Sequence, residues 1–298
     1  MEIGFVGLGK MGFLLAKQLI DSGEKLIAWD LDQSQVDKIV KAGGKAATNL
    51  SEMIKTFTGP RIIWLMVPAG EPVDKVISEI RPLLERGDII IDGGNSFFKD
   101  SIRRYESLKT FGIHFIDCGT SGGLEGAAEG ACLMVGGEKE IVDHCKPLFQ
   151  ALAMKNGYLH CGKPGSGHFV KMVHNGIEYG MMQAIAEGFE LLFKSDFNLD
   201  KEKVARLWSN GSVIRGWLMD LTGNALGKDP DLSEIKGIMH HSGEGKWTAQ
   251  TAIEMEVAAP VIIQSLQMRF ISKEKDSFSG KVVAALRNEF GGHATEKN

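Results

Sequence analysis

Residues 2–12, EIGFVGLGKMG, decide how the first half of the chain folds. An apolar run of strand length breaks at Gly7-Leu8-Gly9-Lys10-Met11-Gly12, and an amphipathic helical pattern opens inside the break. Strand, GxGxxG, then helix is the fingerprint of a dinucleotide-binding βαβ unit. Its first glycine makes the tight turn, its second lets a pyrophosphate approach the helix N-terminus, and its third lets the helix pack closely. Glycines serve many turns, so the context carries the reading: Asp30 closes the next apolar run, IAWD. There it can accept hydrogen bonds from an adenosine ribose. With Asp32 beside it, and no arginine following, it repels a 2′-phosphate. The expected cofactor is NAD rather than NADP.

The same rhythm continues outward. Apolar runs recur at EIGFVG, KLIAW, RIIWLMV, DIIID, GIHFID, CLMVGG and GYLHC, mostly separated by helical stretches, and stop after Gly162. Such a pattern builds a parallel sheet covered on both faces. The expected architecture is α/β: a Rossmann-type doubly wound sheet over residues 1–163, then an all-α domain over residues 164–298. Ligands of open α/β sheets bind beyond the carboxyl ends of the strands. Three stretches are expected there, after the fourth, fifth and sixth strands: MVPAG at 66–70, with Val67, Pro68 and Ala69; DGGNS at 92–96, with Asn95; and CGTSGG at 118–123. Each alone could be a plain turn, but together they line one edge. Asn95 and Ser121 offer side-chain hydrogen bonds, and Gly122 and Gly123 offer backbone N–H groups to a carboxylate.

Composition bounds the rest. A chain of 298 residues, 43% hydrophobic and 24% charged, is a globular protein of one large or two ordinary domains. The net charge of −4 points to neither a nucleic acid nor an acidic membrane partner, so an anionic substrate needs a local cluster of basic residues. Cys118, Cys132, Cys145 and Cys161 lack metal-ligand spacing and read as free thiols. No leader or membrane-spanning run is apparent, and the cytoplasm is the expected compartment.

The segment GHFVKMVHNGIEYGMMQAI, residues 167–185, is the one whose polar residues need a reason. At about 100° per residue, Lys171, His174, Asn175 and Glu178 fall within roughly 100° of one helix face, with Tyr179 at its edge. A solvated face is the first alternative. Along the same face, however, follow Met182, Ile185, Phe189, Leu192 and Phe193. Opposite, Val170, Val173 and Ile177, with the small Gly176 and Gly180, give a second apolar side. A central helix with its polar residues in a closed cleft is expected. In such a cleft a lysine loses its proton more readily and a carboxylic acid keeps it longer, which suits a base and an acid.

GLGKMG, MVPAG, DGGNS, SGG and above all GHFVKMVHNGIEYGMMQ resemble the decarboxylating 6-phosphogluconate dehydrogenases, in their short, NAD-preferring branch. The wider β-hydroxyacid dehydrogenases share the lysine but not the KMVHNGIEY run. The resemblance implies oxidation of 6-phosphogluconate to ribulose 5-phosphate and CO2. Lys171 takes the 3-hydroxyl proton as hydride leaves C3, and then steadies the enediol oxygen. Glu178 protonates what becomes C1 of the pentulose. Asn175 and His174 orient the hydroxyls, while Asn95, Ser121, Gly122 and Gly123 hold the sugar acid. No metal is implied, because the 3-keto group is itself the electron sink.

For the phosphate the resemblance implies Tyr179, Arg269, Arg287 and His293. In the family the last two reach a partner subunit, so a homodimer or homotetramer with a shared site is expected; the alternative is a tail that folds back on its own subunit. One piece departs. Ahead of GKWT, residues 245–248, the longer enzymes carry Lys-Gly-Thr where this chain has Ser242-Gly243-Glu244. Either Glu244 turns away and His240 or His241 compensates, or the substrate differs. Two rival functions stay open: a non-decarboxylating β-hydroxyacid dehydrogenase, which needs no Glu178, and a silent NAD-binding regulator, which needs neither acid nor base.

Overall fold

The computed structural model describes residues 1–273 and 277–296. Two compact units divide between Met172 and Val173. In the first, β1 (Glu2–Val6), α1 (Lys10–Asp21), β2 (Lys25–Trp29), α2 (Gln33–Lys41), β3 (Lys45–Ala46), α3 (Leu50–Thr56), β4 (Ile62–Leu65) and α4 (Glu71–Ile80) are followed by β5 (Ile89–Asp92) and α5 (Phe98–Lys109). Next come β6 (His114–Ser121), α6 (Gly123–Glu129), β7 (Ala131–Gly136), α7 (Lys139–Leu152) and β8 (Ala153–Gly162). The helix α8 (Ser166–Lys194) begins in this unit and continues into the second, which holds α9 (Lys201–Ser209), α10 (Trp217–Lys228), α11 (Glu244–Glu254), α12 (Pro260–Ile271) and α13 (Phe278–Gly291).

The strands form one sheet in the order β3-β2-β1-β4-β5-β6-β7-β8. Alternate side chains point to opposite faces, so Ile3 and Phe5 join a core with Leu15, Trp64 and Phe149 while Val6 joins Ile27, Ile63 and Ile90 on the other side. Both faces being buried explains the unbroken apolar runs.

Two expectations are corrected here. The sheet is not wholly parallel: β7 runs antiparallel to β6, pairing Asp117 with Gly136 and Ser121 with Cys132. The connection 122–130 is shorter than the dozen or more residues that a parallel crossover needs. For the same reason CGTSGG is not a loop after the sixth strand. Cys118 to Ser121 are still strand, and the chain turns only at Gly122, at φ +118°.

In the second unit the apolar continuation of α8 does form a core. Met182, Ala186 and Phe189 are buried with Met219, Leu226, Val282 and Leu286. The opposite side differs from expectation. Gly176 and Gly180 let Thr248 and Val261 come close, but Val170 and Ile177 are exposed in the single chain.

Candidate active site

The carboxyl edge of the sheet is assembled by backbone contact. Gly7, at φ +96°, leaves room for only a hydrogen, because a Cβ there would stand 2.5 Å from the Met66 carbonyl oxygen. A Cβ on Gly12 would stand 2.1 Å from the Gly7 oxygen, whereas Gly9 faces open space. Gly7 thus makes the turn and Gly12 lets the helix pack on it, while Gly9 leaves the space before it open. Lys10, Met11 and Gly12 open α1, whose N-cap Gly9 makes no side-chain hydrogen bond. Leu8 is buried, and its N–H donates to Asp30 Oδ2 at 2.5 Å; Asp32 N–H donates to Asp30 Oδ1 at 2.8 Å. The Asp30 carboxylate is therefore held at the end of β2, beside the glycine turn.

The second and third loops join the same edge. A Cβ on Gly94 would stand 2.4 Å from the Val67 carbonyl oxygen, so the stretch holding Val67, Pro68 and Ala69 lies against DGGNS. Asn95, itself at φ +52°, accepts from Thr120 N–H at 2.8 Å and donates to the Thr120 carbonyl at 3.1 Å. Its side chain clips this loop to β6, next to Ser121, Gly122 and Gly123. Sequence reasoning missed what fixes the loops from below. Arg104, on α5 and 2% exposed, donates to Asp92 at 3.1 Å, to Asp74 at 2.8 Å and to the Gly70 carbonyl at 3.0 Å. Asp92 also accepts from Ser96 Oγ at 2.8 Å. One guanidinium thereby ties MVPAG, DGGNS and α4 together. An arginine in an amphipathic helix carries no sequence signal for this.

Lys171 is 5% exposed, and its stem lies directly on β6: a Cβ on Gly119 would stand 2.4 Å from Lys171 Cβ. The lysine stands one strand position from Thr120, which Asn95 clips, and two from Ser121. Further along α8, Asn175 is 9% exposed and its Oδ1 accepts from His174 Nδ1–H at 2.9 Å. His174 and the half-buried Glu178 carboxylate approach to 3.8 Å. Lysine, imidazole, amide and carboxylate follow one another on one unbroken helix.

A cluster of cationic side chains lies in the second unit. Tyr179, buried, stacks under the Arg269 guanidinium at 3.6 Å, and Arg269 also donates to the His240 carbonyl at 2.8 Å. Burial pushes Arg269 down to about 10, with Tyr179 opposing and Arg287 adding to the shift, so it stays charged at neutral pH. Burial likewise lowers Arg287, against the attraction of Tyr179 and Glu178. His241 is pushed below the ordinary histidine range by burial first, then by Lys273, Arg269, Arg287 and Lys246. The open question between His240 and His241 narrows accordingly: His240 pairs with Glu296, while His241 faces the cations. Glu244 is buried as the first residue of α11, where the N-terminal N–H groups favour a negative charge.

The described part of the tail, to Glu296, packs on its own chain. Arg287 and Phe290 belong to α13, which runs to Gly291, and Gly292, at φ +57°, caps it. His293 packs edge-on against Phe290, its carbonyl accepts from Asn288, and Glu296 bonds back to Lys236. Arg287 thus meets the electrostatic field of Tyr179 and Glu178 within one chain.

Two family models cover this chain: the NAD binding domain of 6-phosphogluconate dehydrogenase over residues 2–162, and the 6-phosphogluconate dehydrogenase C-terminal domain over residues 167–291. The chain belongs to the 6-phosphogluconate dehydrogenase family. It is 57% identical to a putative 6-phosphogluconate dehydrogenase, YqeC, of Bacillus subtilis over the full length of both. It is 42% identical to an NAD(+)-dependent, decarboxylating 6-phosphogluconate dehydrogenase of Haloferax volcanii, covering 98% of each. Among solved structures it is similar to the Plasmodium falciparum 6-phosphogluconate dehydrogenase, with a TM-score of 0.82 at 32% identity, covering 92% of this chain and 63% of that one. A Mycobacterium tuberculosis 3-hydroxyisobutyrate dehydrogenase shares the fold, with a TM-score of 0.74 at 19% identity and coverage of 94% and 97%.

Proposed function

We propose that this enzyme oxidises 6-phosphogluconate at C3 with NAD and decarboxylates the product to ribulose 5-phosphate and CO2. The observation that carries this is α8, which presents buried Lys171 and Asn175, then His174 and Glu178, along one helix of a chain in this family. Bound NAD supplies the hydride acceptor. Gly7, Leu8, Gly9, Lys10, Met11 and Gly12 would hold its pyrophosphate, Asp30 its ribose, and Val67, Pro68, Ala69 and Asn95 the nicotinamide side of the edge. The open space over Gly9 and the anchored Asp30 carboxylate fit that group.

Lys171, placed on β6 beside Ser121, takes the 3-hydroxyl proton as hydride leaves C3. The resulting 3-keto acid places an electron sink two bonds from the carboxylate, so C1 leaves as CO2. Lys171, now protonated, donates to the enediolate oxygen. Glu178 delivers the proton that completes the pentulose, with Asn175 and His174 holding the hydroxyls. Asn95, with its remaining N–H, Ser121, Gly122 and Gly123 bind the carboxylate end. At the other end Tyr179, Arg269, Arg287 and His293 hold the phosphate, arginine matching it through parallel hydrogen bonds.

The preference for NAD rests on Asp30 and Asp32, and the oligomer on an uncovered stripe of α8: Val170, Ile177, Met181 and Leu191 are 38, 53, 51 and 75% exposed. A homodimer or homotetramer in the cytoplasm completes the proposal. The test is NAD reduction with 6-phosphogluconate alongside CO2 capture. Equal amounts of NADH and CO2 support it, whereas NADH without CO2 indicates a non-decarboxylating dehydrogenase. Asp30→Ala should narrow the NAD over NADP ratio in kcat/KM; a wild-type preference for NADP would overturn the cofactor assignment.

A further inference from the structure

The start of α8 is held to the sheet by a device that none of the family's motifs explains. Asp117 lies inside β6, fully buried, two residues before Gly119. Its Oδ1 accepts from Gly165 N–H at 2.6 Å and its Oδ2 from His168 N–H at 2.8 Å. Both donors belong to the first turn of α8 or lead into it, where N–H groups have no partner within the helix. Asp117 is therefore a cap supplied from another element. His168 is held in turn, 1% exposed, with its Nδ1 2.8 Å from Ser101 Oγ on α5.

Shape fixes the same contact. A Cβ on Gly167 would stand 2.4 Å from the Met134 carbonyl oxygen and 2.6 Å from the Gly136 nitrogen. A Cβ on Gly136 would strike the Asp117 carboxylate at 2.5 Å. Helix and strands meet backbone to backbone, and one turn later Lys171 Cβ rests on Gly119. The cap and the lysine share one rigid seam.

We propose that Asp117 is a positioning residue for Lys171: by holding the Gly165 and His168 N–H groups it fixes the height at which α8 crosses β6, and so where the lysine amine stands over Gly119. The inference rests on Lys171 being the base. A misplacement of about 1 Å at a reacting group can cost on the order of 10²-fold in rate.

Asp117→Asn keeps the size of the side chain but turns one acceptor into a donor, facing an N–H. The expected result is a kcat lower by about 10- to 100-fold, an unchanged KM for NAD, and a larger primary isotope effect with substrate deuterated at C3. A purely structural residue would lower thermal stability while kcat per folded molecule and the isotope effect stayed at wild-type values, and that outcome overturns the proposal. If Asp117→Asn does not fold, Gly119→Ala decides: its new methyl pushes on Lys171 without touching Asp117, and an unchanged kcat and isotope effect rejects the seam as the positioning device. Lys171→Met separates the layers. If it remains active, the assignment of the base fails; if it is inactive while Asp117→Asn is normal, only this inference fails.

Discussion

Lys171 and His241 show how burial gives single residues their work. Lys171, on α8 and 5% exposed, packs its stem against Gly119 of β6. Lys171→Met keeps the stem that packs on Gly119 and removes only the amine. It should fold and bind NAD as wild type and lose about 10²- to 10⁴-fold in kcat; Glu178→Gln should instead slow release of the pentulose more than hydride transfer. Stopped-flow NADH formation set against product assay distinguishes the two. His241 carries a pH signature. Its folded pKa lies below its unfolded value, because burial and four cations oppose charging. The stability this contributes is present above the unfolded pKa and is lost as pH falls through the folded one. A phosphate bound among these cations, as proposed, would reverse the local field and draw a proton to the ring. KM for 6-phosphogluconate should therefore fall from about pH 8 to about pH 6 in wild type, and fall less in His241→Gln, whose ring cannot charge. Equal slopes in both would remove His241 from the phosphate site.

At the scale of elements, the loops are only as exact as what holds them. Arg104 connects MVPAG, DGGNS and α4 from beneath, and Asp92, its partner, has no exposed surface. Arg104→Met strands that carboxylate in the core. Removing one partner of a buried pair costs about 3 to 5 kcal/mol, so urea unfolding should shift by an amount in that range, with KM for NAD raised in the molecules that stay folded. The pair also marks the limit of what the sequence discloses. The glycine turn, Asp30 and the polar face of α8 were legible because each depends on local spacing: a positive φ, a strand end, a helical period. Arg104, Asp117 and the antiparallel β7 depend on which elements become neighbours, and such pairing leaves no periodic trace in the sequence. The same limit explains CGTSGG. Its glycines read as a loop, but pairing with β7 keeps Cys118 to Ser121 in the sheet.

For the whole molecule, the question is whether one chain carries a complete site. The exposed stripe of α8 and the apolar Ile253, Val257 and Val261, which are 69, 55 and 67% exposed, offer apolar surface to the proposed assembly. Assembly does not require a shared site. In the resembling family the tail arginine and histidine act on a partner's substrate, but here Arg287 is built into α13, 8% exposed, in the field of Tyr179 and Glu178 of its own chain. Glu178 in turn follows Lys171 by two turns of one continuous helix. Within the second unit, Arg287 and Glu178 thus meet in one chain. Inactive Lys171→Met subunits mixed with inactive Arg287→Ala subunits, exchanged under conditions shown by labelled subunits to form hybrids, should stay inactive, because every site in a hybrid then lacks one of the two residues. Recovery toward a quarter or more of wild-type activity would mean that Arg287 serves the neighbouring subunit, and that α13 changes partners when the oligomer forms. Arg287→Ala alone should raise KM for 6-phosphogluconate and leave KM for NAD unchanged, whichever chain it serves, so the mixing experiment is what assigns the site to one chain.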